Sequence, residues 1–270
     1  MIRRDVVLAF LAHEIKELRG NARVLPVMLI FPVLAVLFPV ILTFLGPSLV
    51  EEASVDPAMG AMLKQAVTLP EFQQLSLEEA LIRFALRGVA AFYLLMPVAI
   101  GSTAAAFSIV GEKQQRTLEP ILATPISDRE FLAGKFLVCL VPTMVVTWLS
   151  AIVGVALVDS ISWSRYGTLF LPDRFWLAGI GLLAPLVGAA ITLVTMRLSA
   201  RSVDPQSTVQ ASALAILPGF FVVFGVFGKV LMVSFNAVLV TIVLTLVLNL
   251  WLFRGVERTF RREEILTKWK

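Results

Sequence analysis

Charged residues, histidine and cysteine are all scarce in this sequence of 270 residues. Of its residues 16% are charged, one is His and one is Cys, whereas 58% are hydrophobic and the mean hydropathy is +0.88. A soluble domain carries about 25% charged residues, so a chain this poor in charge could not cover a soluble globule of its own size. Lipid must therefore solvate much of its surface.

The single Cys139 and the single His13 limit the chemistry open to the chain. One cysteine excludes an intramolecular disulfide and a cysteine cluster for zinc, and one histidine argues against a catalytic His or a site with several His ligands. The G-x-S-x-G and H-E-x-x-H motifs of hydrolases are absent from the sequence. We therefore expect neither a metal site nor catalysis by the chain itself.

Six apolar stretches are long enough, or nearly long enough, to cross a membrane, which takes about 20 residues. They are Val24–Leu45, Val89–Val110, Phe136–Val158, Phe175–Met196, Ala211–Phe227 and Val230–Phe253. The fifth is short, and Gly228-Lys229 alone separates it from the sixth, so it either spans fully or forms a partial, re-entrant segment. The sequence predicts an all-α integral membrane protein whose six transmembrane helices form a single domain over residues 1–270.

The distribution of basic residues predicts the orientation of these spans. Of the 23 Lys and Arg residues, six fall on one side and the other seventeen fall in the termini and in the connections on the opposite side. The six are Lys64, Arg83, Arg87, Arg165, Arg174 and Lys229. Because Lys and Arg accumulate on the cytoplasmic side, we expect both termini in the cytoplasm and the chain in the inner (cell) membrane. The same bias explains the net charge of +4 without a nucleic acid partner.

The segments outside the spans have predicted roles of their own. Residues 1–23 place Val7, Leu11, Ile15 and Leu18 at helical spacing, which predicts a cytoplasmic helix that lies in the membrane interface or packs on another protein. The other segments are an acidic extracytoplasmic loop at 46–88, a cytoplasmic connection at 111–135 and a cytoplasmic tail at 254–270.

The extracytoplasmic loop contains a helix-start signal. Ser76 and Glu79 form a capping box ahead of the apolar Leu81, Ile82 and Phe84. We expect a short helix on the outer surface there, which turns into the second span near Gly88.

The predicted spans contain no Asp, Glu or Arg, and Lys135 lies at the edge of the third. Ion-coupled carriers usually place ionisable groups inside the bundle, so this class is disfavoured, although a carbonyl-lined site stays open. The G-x-x-x-x-G-K-[ST] loop that holds nucleotide phosphates is also absent. If ATP drives this protein, another chain binds it.

The connection 111–135 is the most informative segment. Its first part has charged and apolar residues at helical spacing and ends at Ala123-Thr124-Pro125, because the residue before a proline avoids helical geometry. Ser127 then begins a second helix, and Glu130 completes a capping box. A plain solvated loop would not need so many signals for the start and the end of a helix.

This connection resembles the signature of the permease family of the ABC type-2 export class, E-R-E-x-G-T-L-E-x-L-L-x-T-P-[VI]-S-x-x-E-x-x-x-G-K. The matching residues are Glu112, Thr117, Leu118, Glu119, Leu122, Thr124, Pro125, Ile126, Ser127, Glu130, Gly134 and Lys135. Gln114 and Arg116 depart from it. Weaker similarities occur at Lys16–Arg19, at Leu217-Pro218 and at Phe260–Leu266, so the resemblance covers the whole chain.

The resemblance implies a membrane-spanning permease that exports a substrate by alternating access while a separate ATPase hydrolyses ATP. A cytoplasmic coupling helix would contact the ATPase through Glu112, Arg116, Leu118, Glu119, Ile121 and Leu122. The N-terminal elbow helix would add Lys16, Glu17 and Arg19. Two ATPase copies would bind ATP and Mg²⁺, the permease would bind no cofactor directly, and a second permease copy or a paralogue would complete the assembly within membrane lipid.

The resemblance also implies a substrate pathway between two permease halves, mainly along the second and fifth spans. The residues that would line it are Phe92, Tyr93, Met96, Ser102 and Thr103, with Leu214, Phe220 and Phe221 opposite. Such an apolar, aromatic lining suits a hydrophobic or amphipathic cargo. The alternative is that these side chains face lipid or neighbouring helices.

Two other functions stay open at this point. The chain could be a non-transporting membrane anchor or scaffold that recruits a cytoplasmic partner through the same connection, or an ion-coupled carrier or channel. The sequence specifies neither the cargo nor a choice between homodimer and heterodimer, and the direction of transport comes from the resemblance alone.

Overall fold

A computed structural model describes residues 25–55, 71–111, 128–199, 202, 204–214 and 234–259 of the chain. These residues form helices, turns and short connections, with no strand among them. Five of the helices are long and apolar enough to cross a membrane. The predicted all-α membrane class is therefore confirmed, whereas the sixth span stays a prediction.

The helices are numbered in chain order. They are α1 at Leu25–Val55, α2 at Leu77–Ala106, α3 at Asp128–Tyr166, α4 from Arg174 to Ser199, α5 at 205–214 and α6 at Phe235–Thr259. A π-helix at Phe107–Gly111 continues α2. A second π-helix, Leu177–Leu183, lies inside α4 between the α-helical pieces Arg174–Trp176 and Ala184–Ser199.

Five of the predicted apolar stretches fall largely within α1, α2, α3, α4 and α6. The remaining stretch, Ala211–Phe227, is described only as far as position 214, where α5 is helical. The predicted N-terminal helix at 1–23 and the distal tail beyond position 259 lie outside the described residues.

The start of α2 confirms the predicted cap and corrects the predicted helix. The backbone N–H of Glu79 donates to Ser76 Oγ at 3.2 Å. The helix then continues through Gly88 to Ala106 without a break, so the expectation of a short surface helix that turns near Gly88 was wrong. Leu81, Ile82 and Leu86 are buried in the bundle, and an unbroken helix satisfies its own backbone hydrogen bonds there.

Helix α2 lies at the centre of the bundle, in contact with α1, α3 and α4. In its most apolar window 72% of the residues are buried, against 22% in α1 and 17% in α6. The outer helices expose large apolar side chains such as Leu29, Ile30, Val243 and Leu244. Those faces suit a hydrocarbon environment, as expected of a multi-pass membrane protein.

Small residues allow α2 to approach its neighbours closely. A Cβ atom added at Gly101 would lie 3.3 Å from Thr192 Oγ1 of α4. One added at Gly154 of α3 would overlap the hydroxyl of Tyr93. Close approach at small residues is the usual way in which membrane helices associate, because lipid is as apolar as the helices.

The contact between Tyr93 and Gly154 gives a test of this packing. We expect Gly154→Ala to lower stability by about 1–3 kcal/mol, because the added methyl group meets a hydroxyl on a rigid ring. Tyr93→Phe in the same chain should restore stability, since the next ring atom would be 3.6 Å from the methyl group. Thermal unfolding in detergent measures both effects, and equal midpoints for the single and double variants would contradict the described packing.

Candidate functional site

The predicted ATPase contacts lie outside the described residues. This holds for Glu112, Arg116, Leu118, Glu119, Ile121 and Leu122 of the connection and for Lys16, Glu17 and Arg19 of the N-terminal segment. The structure does describe both ends of the connection. The π-helix ends at Gly111, and α3 begins at Asp128, next to the predicted cap Ser127.

Lys135 is buried at the end of the bundle that carries the connection. Its side chain is fully buried, and its Nζ donates to the carbonyl oxygen of Ser108 at 3.0 Å. The sequence placed Lys135 at the edge of a span and no ionisable group inside the spans. Helix α3 begins at Asp128, so Lys135 lies two turns, or about 10 Å, inside the helix, and its place at the edge of the span stays a prediction.

The contact between Lys135 and Ser108 joins the two helices that flank the connection. Ser108 belongs to the π-helix Phe107–Gly111 and Lys135 to α3, so the pair connects two residues 27 positions apart in the chain. An ammonium group is costly to bury in a membrane protein, and those that occur usually serve a function. Here it ties the ends of α2 and α3 together where the connection leaves the bundle.

Four of the predicted pathway residues on α2 are buried inside the single chain. Tyr93 and Met96 are fully buried, and the Tyr93 ring packs against the Trp176 ring with centroids 5.1 Å apart. The hydroxyls of Ser102 and Thr103, also buried, donate to the carbonyl oxygen of Ala99, in their own helix.

The other predicted pathway residues are exposed or undescribed. Phe92 is 43% exposed and stacks on Phe38 of α1 with centroids 4.7 Å apart. Leu214, in α5, is 68% exposed. Phe220 and Phe221 lie outside the described residues. Within one chain the structure therefore separates Phe92 from its buried neighbours, and the pathway stays a prediction.

A cluster of charges that the sequence did not reveal lies at the opposite end of the bundle. Arg87 Nε donates to Asp173 Oδ2 at 2.8 Å, and Arg87 Nη2 pairs with Glu71. The guanidinium carbon lies 4.7 Å from the centre of the Phe72 ring and 4.2 Å from that of Phe175. Arg174 also pairs with Glu71. We call Glu71, Arg87, Asp173 and Arg174 the Arg87 cluster.

Further polar contacts tie the same ends of α2, α3 and α4 together. Arg83 Nη2 bonds Glu79 at 2.7 Å and the hydroxyl of Thr168 at 3.1 Å. The carboxylate of Asp159 accepts the backbone N–H groups of Phe170 and Leu171 at 3.0 and 2.9 Å. A signal for part of this network is present in the sequence, since Glu79, Arg83 and Arg87 follow one another at helical i,i+4 spacing.

The described residues contain no group of three or more His, Cys, Asp or Glu side chains that could hold a metal ion. Cys139 is buried, forms no disulfide, and packs in an apolar cluster with Val138 and Leu193.

Comparison with known proteins identifies the family. The model of a family described as "ABC-2 family transporter protein" matches residues 69–253, more than half of the chain. The chain belongs to the ABC-2 transporter family. The match starts before α2 and ends within α6, so it includes the connection, both π-helices and the Arg87 cluster. No curated protein and no solved structure matches the chain.

The family makes this chain an ABC transporter permease, a transmembrane subunit that is not itself catalytic. Permeases of this family usually work with an ATPase subunit, which defines the kind of partner expected. The resemblance drawn from the connection is thereby confirmed at the level of the family.

The Arg87 cluster gives a second stability test. Arg87→Met removes the charge-assisted bonds to Glu71 and Asp173. We expect a loss of about 1.5–3 kcal/mol, because both carboxylates are partly exposed and Glu71 keeps Arg174. Arg83→Met is the control, since Arg83 is partly exposed and its pair with Glu79 is worth roughly 0.2–1 kcal/mol. Unfolding midpoints in detergent compare the two, and a larger loss for Arg83→Met would refute the central place given to Arg87.

Proposed function

We propose that the chain is the membrane-spanning permease of an ATP-driven exporter whose ATPase docks on the connection 111–135. The family match carries the proposal, because it covers the connection in which the export-class signature lies. The sequence has no phosphate-binding loop of its own, so ATP and Mg²⁺ belong to the partner.

In this proposal the coupling helix passes the motion of the ATPase to the bundle. Leu118, Ile121 and Leu122 fill a groove on the ATPase, and Glu112, Arg116 and Glu119 make the polar contacts around it. A rigid displacement must then reach the spanning helices. The bond from Lys135 Nζ to the Ser108 carbonyl supports this step, because it makes the ends of α2 and α3 respond together.

The distribution of basic residues supports a cytoplasmic location for the connection end of the bundle. In the predicted topology 17 of the 23 Lys and Arg residues fall on that side, Lys135, Arg197 and Arg254 among them. At the opposite end Arg83, Arg87 and Arg174 pair with carboxylates. An excess of basic residues at one end, against mostly paired charges at the other, follows the positive-inside rule.

The complete exporter in this proposal contains two permease halves and two ATPases, with cargo passing between the halves by alternating access. A second copy of this chain or a paralogue supplies the other half. Phe92 supports a hydrophobic or amphipathic cargo, because it presents an aromatic ring at the surface of the single chain.

Leu118→Asp tests the coupling contact. A carboxylate placed in an apolar groove loses its hydration without gaining a partner, so we expect the amount of ATPase that co-purifies to fall by about tenfold or more. Gln115→Asp is the matched control, because it adds the same charge to the same connection outside the predicted contact set. The measurement is ATPase recovered per permease, together with ATP turnover in lipid nanodiscs.

The outcomes separate the candidate functions. Equal ATPase recovery with Leu118→Asp and Gln115→Asp would place the contact elsewhere. An ATPase that binds the wild-type chain but whose turnover never responds to it would favour the membrane anchor. If no ATPase associates with the chain, the proposal that it is part of an ATP-driven exporter is rejected.

Lys135→Met tests whether the buried ammonium transmits motion without itself touching the ATPase. We expect unchanged ATPase recovery but a roughly 2- to 30-fold smaller effect of the permease on ATP turnover, the range typical of residues that modulate coupling. Lys135→Arg, which keeps the charge, should retain part of that effect. Unchanged turnover in Lys135→Met would show that the contact with Ser108 serves stability alone.

A further inference from the structure

An apolar groove runs between α3 and the π-helix of α4, on the surface of the described bundle. Its volume is about 440 Å³, within the roughly 300–1,000 Å³ typical of pockets that hold small ligands. Trp148, Ala151 and Ile152 line it from α3, and Trp176, Leu177 and Gly181 line it from α4. Ile152 and Leu177 form its rims and are 64% and 61% exposed, whereas Trp176 at its floor is buried.

The two tryptophans that line the groove present no free hydrogen-bond donor to water. The indole N–H of Trp148 donates to the carbonyl oxygen of Ile180 at 3.0 Å, and that of Trp176 donates to Leu86 at 3.0 Å. Both rings therefore turn hydrocarbon surface towards the groove while their polar atoms are engaged elsewhere. Water needs two to four polar partners to occupy a cavity, so an apolar space of this kind favours an apolar occupant.

The length of the groove along α3 is close to the thickness of one leaflet of a bilayer. Asp159 binds the backbone of Phe170 and Leu171 at the end of the bundle that carries the Arg87 cluster. The lining residues of α3 begin one turn deeper, at Ala156, and continue to Trp148. Eight residues of α-helix rise about 12 Å, close to the roughly 15 Å of hydrocarbon in half a bilayer.

Gly181 keeps this space open. A Cβ atom added there would have no neighbouring atom within 4 Å. A larger side chain at this position would therefore fill the groove without colliding with the described protein. Because Gly181 has no side chain, the groove is wider where the π-helix passes α3. Turns of π-helix are frequent at functional sites.

We propose that this groove binds one acyl chain of a membrane lipid from the leaflet on the side of the Arg87 cluster. The dry lining, the match in length and the exposure of both rims to the bilayer all suit a single hydrocarbon chain with its headgroup at the level of Asp159. The proposal does not depend on the ATPase or on transport, so it stands or falls separately from the proposed function.

The test is photolabelling of the full chain in vesicles of phosphatidylethanolamine and phosphatidylglycerol that contain phosphatidylglycerol with a diazirine on one acyl chain. We expect adducts on the peptides around Trp148–Ala156 and Leu177–Gly181. Gly181→Leu should lower this yield about tenfold, which corresponds to roughly 1.4 kcal/mol of lost binding. Leu182→Trp is the control, because it enlarges an exposed apolar side chain in the same π-helix, outside the groove lining.

Two results would overturn the proposal in different ways. Equal labelling of the groove in Gly181→Leu and Leu182→Trp, at the level of the exposed α6 residues Val243 and Leu244, would mean bulk lipid contact alone. A disulfide between two copies through Ile152→Cys, with Cys139 buried in each, would assign the groove to an interface between copies of this chain. If Gly181→Leu unfolds the protein, Ile152→Trp narrows the groove from the exposed rim and is expected to lower the yield in the same way.

Discussion

Inside a membrane a polar group must find its partner within the protein, and this constraint governs the described bundle. Most buried hydroxyls bond a carbonyl one turn back in their own helix, as Thr143 does to Cys139 and Thr147 to Thr143. The two groups whose burial costs most, Arg87 and Lys135, lie at opposite ends of the bundle. Arg87 is held by Asp173, the N-cap of α4, and Lys135 by a carbonyl oxygen of the π-helix that continues α2, so the charges that are hardest to bury also join the helices.

The two π-helices belong to the same pattern. A π-helix changes the backbone hydrogen bonding locally, and in both of them a carbonyl oxygen accepts a side-chain donor from α3. Ser108 accepts the ammonium of Lys135, and Ile180 accepts the indole of Trp148. Helix α3 therefore makes one hydrogen bond to the π-helix that continues α2 and another to the π-helix of α4, in addition to its apolar packing on both.

Hydropathy and helix signals in the sequence predict the class and most of the apolar helices, because each depends on residues close together in the chain. The cap at Ser76 and the family signature in the connection are local in the same sense. What the sequence missed depends on contacts between distant positions. Arg87 and Asp173 are 86 residues apart, so nothing local marks the pair. The contact of Lys135 with Ser108 was missed for the same reason, since the two residues are 27 positions apart.

The hydroxyl of Tyr93 departs from the rule that a buried polar group finds its partner within the protein, as do those of Thr192 and Thr195. It is buried against Gly154 and finds no hydrogen-bond partner among the described residues. An unsatisfied buried hydroxyl costs about 1–3 kcal/mol, which the apolar packing of the surrounding helices must offset. The glycine leaves this helix pair without an interlocking side chain at that level. The Tyr93 ring is held at that level by its packing on the Trp176 ring, with centroids 5.1 Å apart, so apolar contact alone positions the hydroxyl.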